Sequence, residues 1–173
     1  TEVEPKPLPE ENLVSIVAYC LNPNHFHLVV KQLVDGGITK YMLKLQGGYT
    51  YYFNSKNSRS GSLFQGTFKS QIITDDNYFN KLMGYVNKNY QIHSIPENKN
   101  QLIFSGDYEY ESNKFNIISK EEAERILEVF GGGNKFKKHC DEIVSIIREE
   151  RGQKSLLEDE DTSIIVVSLP DRG

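Results

Sequence analysis

The order of hydrophobic and polar positions predicts both strands and helices in the first half of the chain. Apolar, β-branched segments at residues 13–20 and 26–34 flank Asn22-Pro23-Asn24, a strong turn signal, so two adjacent strands joined by a tight turn are expected. Residues 38–53 carry apolar side chains on a stripe of helical period, which Gly47-Gly48 interrupt, and predict a helix. A short strand is expected over residues 67–74.

Capping residues and periodicity predict three further helices. One runs from about Asp75 to near Tyr90. Thr74, Asp75 and Asp76 supply its cap and the negative first turn that the helix dipole favours. Ser119 followed by Glu122 is a capping-box pattern that starts a helix over about residues 119–130. A run of glycines ends that helix, and Asn134 is expected to cap a last one that reaches about residue 151.

The chain is predicted to contain one folded core between a flexible start and an acidic extension. Residues 1–12 are rich in Pro and Glu, which is typical of a flexible lead-in. The core is assigned to residues 13–94, and residues 95–173 form the acidic extension with short helices. Within the extension, residues 98–116 show no clear period, and residues 164–167 suit either a tail or an added edge strand.

Composition indicates a soluble globular protein. Of 173 residues, 38% are hydrophobic and 25% charged, and no apolar run reaches the roughly 18 to 20 residues that a membrane helix needs. No signal-peptide pattern stands at the start. Cys20 and Cys140 form no metal-ligand spacing and no disulfide framework, so a reducing, cytoplasmic setting is expected.

Charge is distributed unevenly along the chain. The formal net charge is -4, yet residues 13–94 contain eight basic and three acidic residues, whereas the remainder contains 12 basic and 21 acidic ones. One interpretation is a basic binding face within an acidic chain. The other is a chance fluctuation of solvated charge.

The first chemical signal is the histidine pair in His25-Phe26-His27 at the start of a predicted strand. Alternate side chains of a strand share a face, so both imidazoles point to one side while Phe26 packs on the other. This arrangement suits two ligands of one metal ion. An ordinary pair of exposed or core histidines has the same sequence.

The second signal is the tyrosine content of the helix predicted over residues 75–90. Tyr85 and Asn89 lie one helical turn apart, and Tyr78 lies two turns before Tyr85. A phenol beside a metal site can attack phosphorus, and an amide oxygen can complete the ligand set. The alternative is that Tyr78, Leu82 and Tyr85 form a buried stripe.

These residues carry a resemblance to a known family. Residues 18–30 resemble the HUH signature segment of single-tyrosine transposases, in particular the REP-associated tyrosine transposase group. Residues 59–70 resemble the second motif block of that group, and residues 76–89 resemble its tyrosine helix. The order and spacing of the three blocks agree. The resemblance implies an α+β fold of the ferredoxin-like type, with an antiparallel sheet, packed helices and a C-terminal helical extension.

The resemblance also implies roles for individual residues. His25, His27 and Asn89 would be ligands of Mg²⁺ or Mn²⁺. Tyr85 would attack a phosphodiester of single-stranded DNA, leaving a 5'-phosphotyrosine and a free 3'-OH that can rejoin strands later. The same donors could bind Zn²⁺, so the metal identity follows from the family and not from ligand softness.

Cations and aromatic rings near the second motif block suit a surface for single-stranded or hairpin DNA. For the rings, a core role beside a strand is the alternative. No membrane partner is expected, and both a monomer and a homodimer that exchanges the tyrosine helix are open. The expected location is cytoplasmic and nucleoid-associated. The candidate DNA-binding residues are Lys56, Arg59, Phe64, Gln65 and Lys69, with Lys40 and Lys44 extending the basic face.

The chain departs from the family pattern in two places. Family members usually begin with an additional strand and helix, and neither is seen before Leu13, so either the chain is shortened or the sheet lacks a central strand. Tyr90 stands where the family usually has proline. Two other functions are weighed: a domesticated protein that binds structured DNA without cutting it, and a zinc hydrolase. The hydrolase lacks further ligands, since His93 and His139 are interpreted as a helix-end residue and a surface residue.

Overall fold

The computed structural model describes residues 12–93, 102–153 and 165–169, which form one sheet covered by helices. The strands are β1 (Val14–Leu21), β2 (Phe26–Gln32), β3 (Lys69–Ile72), β4 (Phe104–Ser105) and β5 (Ile165–Leu169). The helices are α1 (Gly37–Lys56), α2 (Asp76–Asn87), α3 (Asn89–Ile92), α4 (Gly106–Ser112), α5 (Lys120–Phe130) and α6 (Gly133–Gln153). The strand order across the sheet is β3-β5-β2-β1-β4.

The α+β class is confirmed, and β1, β2 and β4 form the predicted antiparallel part of the sheet. β1 and β2 make a hairpin in which Cys20 lies opposite His27, and β4 pairs with the end of β1. β5 runs parallel to both of its neighbours, β2 and β3. It is therefore an internal strand and not an edge strand.

Successive side chains of β2 point to opposite faces of the sheet. A different helix packs on each face. Phe26 meets Phe64 with ring centroids 6.0 Å apart, and Phe64 in turn contacts Tyr49 of α1. On the opposite face, His27 meets Tyr85 of α2. The predicted strand geometry, with both histidines on one side and Phe26 on the other, is confirmed.

The predicted helix over residues 75–90 is present but is broken near its end. Asp75 caps α2, as expected, by accepting a hydrogen bond from the Tyr78 N–H at 2.7 Å. α2 ends at Asn87, and α3 begins again at Asn89 after Lys88. Lys88 has backbone angles of φ -112° and ψ 23°, outside the α-helical region. The prediction of one continuous helix to Tyr90 was wrong at this point.

The C-terminal helices differ from the sequence prediction in detail. Residues 98–116 gave no period, yet they contain α4. Ser119 stands at the N-cap of α5 but makes no side-chain capping bond, so the capping-box prediction was wrong. Its backbone N–H instead donates to the Ile16 carbonyl at 2.8 Å, which attaches the start of α5 to β1. α6 starts at Gly133, one residue before the predicted cap.

The helices after residue 102 share the hydrophobic core of the sheet. Phe136 and Cys140 of α6 are buried in one cluster with Met83 of α2 and Val29 of β2. Tyr110 of α4 donates from its hydroxyl to the Val17 carbonyl at 2.8 Å. No helix among the described residues is long and apolar enough to cross a membrane. The lead-in predicted over residues 1–12 lies outside the described residues except for Asn12.

Gly84 allows α2 and α6 to approach each other closely. A Cβ at this position would lie 2.8 Å from Cβ of Ile143 and 3.0 Å from its Cγ1 and Cγ2. We expect Gly84→Ala to lower the free energy of unfolding by about 1–3 kcal/mol, because overpacking forces the helices apart. Urea unfolding followed by circular dichroism measures the change.

Gly48→Ala is the matched control for this substitution. Gly48 also lies inside a helix, but a Cβ there meets nothing within 4 Å. Alanine should therefore raise the free energy of unfolding by about 0.5–1 kcal/mol, as expected for an unstrained helix interior. Equal effects of the two substitutions would contradict close packing of α2 on α6.

Candidate active site

The histidine pair lies where β2 leaves the β1–β2 turn. The Asn22 N–H donates to the His25 carbonyl at 2.9 Å and closes this turn. The two imidazole rings approach edge to face, with centroids 5.1 Å apart. His27 is buried, whereas His25 remains partly exposed, so the pair forms a site that opens to solvent on one side.

Tyr85 faces this pair from α2. Its ring centroid lies 5.5 Å from that of His27, and its side chain is half-buried. Tyr78 is 37% exposed, and its hydroxyl donates to Oε1 of Gln71 on β3 at 3.2 Å. Of these two tyrosines, the structure therefore brings Tyr85 to the histidines.

Asn89 completes the cluster from the first position of α3. Its Oδ1 lies 3.2 Å from Nε2 of His25, and the residue is buried. The sequence placed Asn89 one turn after Tyr85 on a continuous helix. In the structure the helix breaks at Lys88, and Asn89 still lies beside His25.

Both ring nitrogens of His25 have carboxamide neighbours. Nδ1 lies 2.9 Å from Asn24 Oδ1. Nε2 lies 3.2 Å from Asn89 Oδ1 and 2.9 Å from Asn22 Nδ2. In the tautomer protonated at Nδ1, the Nε2 lone pair points into the site beside Asn89 Oδ1, as in histidine ligands whose other ring nitrogen is held by a hydrogen bond.

A divalent cation fits this set of donors. Neighbouring ligands of a six-coordinate ion with bonds of about 2.1 Å lie about 3 Å apart, close to the 3.2 Å between His25 Nε2 and Asn89 Oδ1. No cluster of three or more His, Cys, Asp or Glu with metal-site geometry occurs among the described residues. His25 and His27 thus need the amide oxygen of Asn89 to make a three-ligand site.

Sequence reasoning missed two residues that border this site. Asn22 was seen only as part of a turn, yet its Nδ2 donates to Asn89 Oδ1 at 2.7 Å. His93 does end α3, as expected, but its ring also packs against His25 with centroids 5.3 Å apart. The two asparagines of the turn, next to the histidine pair in the sequence, could have indicated that Asn22 borders the site. No local pattern indicated that His93 does.

His139 is not a surface residue. It is half-buried, and its Nε2 lies 2.9 Å from the carbonyl oxygen of Asn80, to which it donates. Its ring packs against Phe130 with centroids 4.8 Å apart. His139 therefore joins α6 to α2 and takes no part in the histidine cluster.

A buried ion network holds the chain between Tyr85 and Asn89. Lys88 is 1% exposed, and its Nζ lies 3.1 Å from Asp107 Oδ2 on α4 and 2.8 Å from Asp141 Oδ1 on α6. Burial lowers the pKa of the Lys88 ammonium, but the hydrogen bond with Asp141 and the charge of Asp107 outweigh it, so the pKa stands above its ordinary value. The C-terminal helices thus fix the helix break beside the site.

Three of the predicted DNA-binding residues lie near α1, on the other face of the sheet: Lys56, Arg59 and Phe64. An open groove of about 490 Å³ is lined by residues of α1 and the following loop, including Asn54 and Phe64. Arg59 donates to Asn54 Oδ1 at 3.1 Å at this groove. Lys56 lies over the Tyr52 ring, 5.6 Å from its centroid. Phe64 is half-buried against Phe26 and lines the groove, and its role in DNA binding stays a prediction.

The other predicted DNA-binding residues are exposed, and Lys40 lies far from Lys56 along α1. Lys40 and Lys56 are 16 positions apart on α1, which at 1.5 Å per residue is about 24 Å along the helix. Lys40 instead donates to the Asp35 carbonyl at 3.4 Å. Lys44, Gln65 and Lys69 are all exposed. The extension of the basic face to Lys40 and Lys44 stays a prediction.

The fold and the site define a class of protein: an α+β domain in which a strand-borne histidine pair faces a tyrosine and an asparagine from helices. Residues 6–89 match the family of IS200-like transposases. Over these residues, which are just under half of the chain, the protein is similar to this transposase family, whose members act on DNA. No curated protein and no solved structure matches the chain.

Proposed function

We propose that the protein nicks and rejoins single-stranded DNA through a 5'-phosphotyrosine intermediate, with Tyr85 as nucleophile and His25, His27 and Asn89 as ligands of Mg²⁺ or Mn²⁺. The observation that carries this proposal is the position of Tyr85, whose ring lies 5.5 Å from that of His27. It places a phenol beside the one group of converging acceptors described above.

In the proposed reaction, the Tyr85 oxygen forms a bond to phosphorus as the phenol gives up its proton. The bond from phosphorus to the 3' oxygen breaks, and that oxygen leaves as a 3'-OH after taking up a proton. A bound Mg²⁺ or Mn²⁺ would withdraw charge from the scissile phosphate. Because one ester replaces another, a second 3'-OH can reverse the step without a further energy source.

The groove near Arg59 and Phe64 supports binding of a structured DNA segment on the opposite face of the sheet. Exposed cations pair with phosphates, and half-buried rings offer stacking surfaces. A hairpin held there could pass a single strand around the sheet to Tyr85. Hairpin-flanked or palindromic DNA is therefore the proposed substrate. A cytoplasmic, nucleoid-associated protein, monomeric or homodimeric, is part of the same proposal.

Incubation with labelled hairpin DNA and Mn²⁺ tests the proposal. We expect a covalent DNA–protein adduct on a denaturing gel, which EDTA and His27→Ala both abolish. Tight, salt-sensitive binding without any adduct would instead favour a domesticated protein that binds structured DNA and does not cut it. Adduct formation that survives both EDTA and His27→Ala would overturn the assigned metal ligands.

A further inference from the structure

The carboxamide of Asn22 lies between two of the proposed ligand atoms. Its Nδ2 is 2.9 Å from Nε2 of His25 and 2.7 Å from Oδ1 of Asn89, while these two acceptors are 3.2 Å apart. This NH₂ group donates to Asn89 Oδ1 and, in the tautomer of His25 protonated at Nδ1, also to Nε2. Without such a donor, two partly buried acceptors would face each other at a cost in free energy.

The orientation of this carboxamide is set from both ends. Asn22 Oδ1 lies 3.5 Å from Sγ of Cys20 and accepts from the thiol. The opposite orientation would place two amide oxygens, from Asn22 and Asn89, at the 2.7 Å that Nδ2 now spans. Since neither oxygen can donate, the observed orientation of Asn22 is the one that matches an Asn89 carboxamide whose Oδ1 faces it.

The same orientation is incompatible with a cation at the converging acceptors. An NH₂ group presents its positive hydrogens to any ion bound by His25 and Asn89. Rotation of the Asn22 carboxamide by half a turn about its Cβ–Cγ bond exchanges the two ends and presents Oδ1. An amide oxygen is a suitable ligand for Mg²⁺ or Mn²⁺.

We propose that Asn22 is a fourth ligand of the metal site, which coordinates the cation through Oδ1 once its carboxamide turns from the orientation in which Nδ2 donates to Asn89. This inference rests on the proposed function, because it requires a cation at His25, His27 and Asn89. The Asn22 carboxamide would then have two orientations, and binding of the cation would favour the one that presents Oδ1.

Mn²⁺ affinity measured on the full chain by electron paramagnetic resonance tests this role without DNA. Loss of a ligand oxygen should make Asn22→Ala bind Mn²⁺ about 10-fold or more weakly than the wild type. Asn22→Asp keeps an acceptor and adds negative charge, so it should bind Mn²⁺ more tightly than Asn22→Ala. Asn77→Ala, an exposed substitution on α2, is the control and should match the wild type.

The outcomes separate this inference from the proposed function. If the wild type binds Mn²⁺ and His27→Ala does not, the metal site stands. Asn22→Ala binding as tightly as the wild type, or more tightly, would then show that Asn22 is merely displaced, and the ligand role would be wrong. If the wild type itself binds no Mn²⁺, both the inference and the proposed metal site fail. Thermal unfolding of each variant without metal verifies that it is folded.

Discussion

Tyr85→Phe is expected to abolish the covalent DNA–protein adduct while leaving Mn²⁺ binding unchanged. The substitution removes one oxygen, and the ring that packs 5.5 Å from His27 is retained. Since the phenol oxygen is the proposed nucleophile, adduct formation should fall by at least about 1,000-fold. Single-turnover assays with labelled hairpin DNA and Mn²⁺ measure the change, and gel-shift assays verify that the DNA is still bound.

Tyr78→Phe is the matched control on the same helix. Tyr78 donates to Gln71 rather than facing the histidines, so its removal should change adduct formation by less than about threefold. An adduct that persists in Tyr85→Phe and disappears in Tyr78→Phe would show that Tyr78, and not Tyr85, is the nucleophile. Loss of the adduct in both variants, with DNA binding intact, would indicate an effect on α2 rather than on a nucleophile.

Lys88→Ala is expected to give the largest loss of stability, about 3–5 kcal/mol in the free energy of unfolding. Removing one partner of a buried ion pair leaves the other charge without compensation. Of the carboxylates that would lose Lys88, Asp107 is the buried one, 7% exposed and 3.1 Å from Lys88 in the intact protein. Urea unfolding of wild type and variant measures the difference.

The loss should depend on pH in a defined direction. Burial raises the pKa of the Asp107 carboxyl, and Lys88 opposes this rise, so the pKa rises further without the lysine. A carboxyl with a raised pKa in the folded state takes up a proton on folding as the pH falls, and that uptake favours the folded variant. The difference between wild type and Lys88→Ala should therefore be larger near pH 8 than near pH 5.

Lys81→Ala provides the comparison for this prediction. Lys81 lies on α2 but is exposed, so its removal should change the free energy of unfolding by less than about 0.5 kcal/mol. A loss below about 1 kcal/mol for Lys88→Ala at both pH values would show that Asp107 gains solvent once the lysine is gone. The network would then not be what fixes the chain between Tyr85 and Asn89.

Local patterns were sufficient for most secondary structure, and they failed where distant contacts set the boundary. The period-two pattern of β2 and the Asp75 cap of α2 are local, and both were predicted. The end of α2 was not, because the break at Lys88 is held by carboxylates on α4 and α6 that lie 19 and 53 positions later in the chain. The position of β5 between β2 and β3 was not predicted either, because it depends on pairing with strands that are distant in the sequence.

The sequence by itself determined the chemistry available at the site. It placed His25 and His27 on one face of a strand, because side chains there alternate with period two. It also put Tyr85 and Asn89 one turn apart. The approach of Asn22 to Asn89, 67 positions apart, and of His93 to His25 was decided only by the tertiary structure. These distances follow from the packing of α3 against the β1–β2 turn, and no local period encodes them.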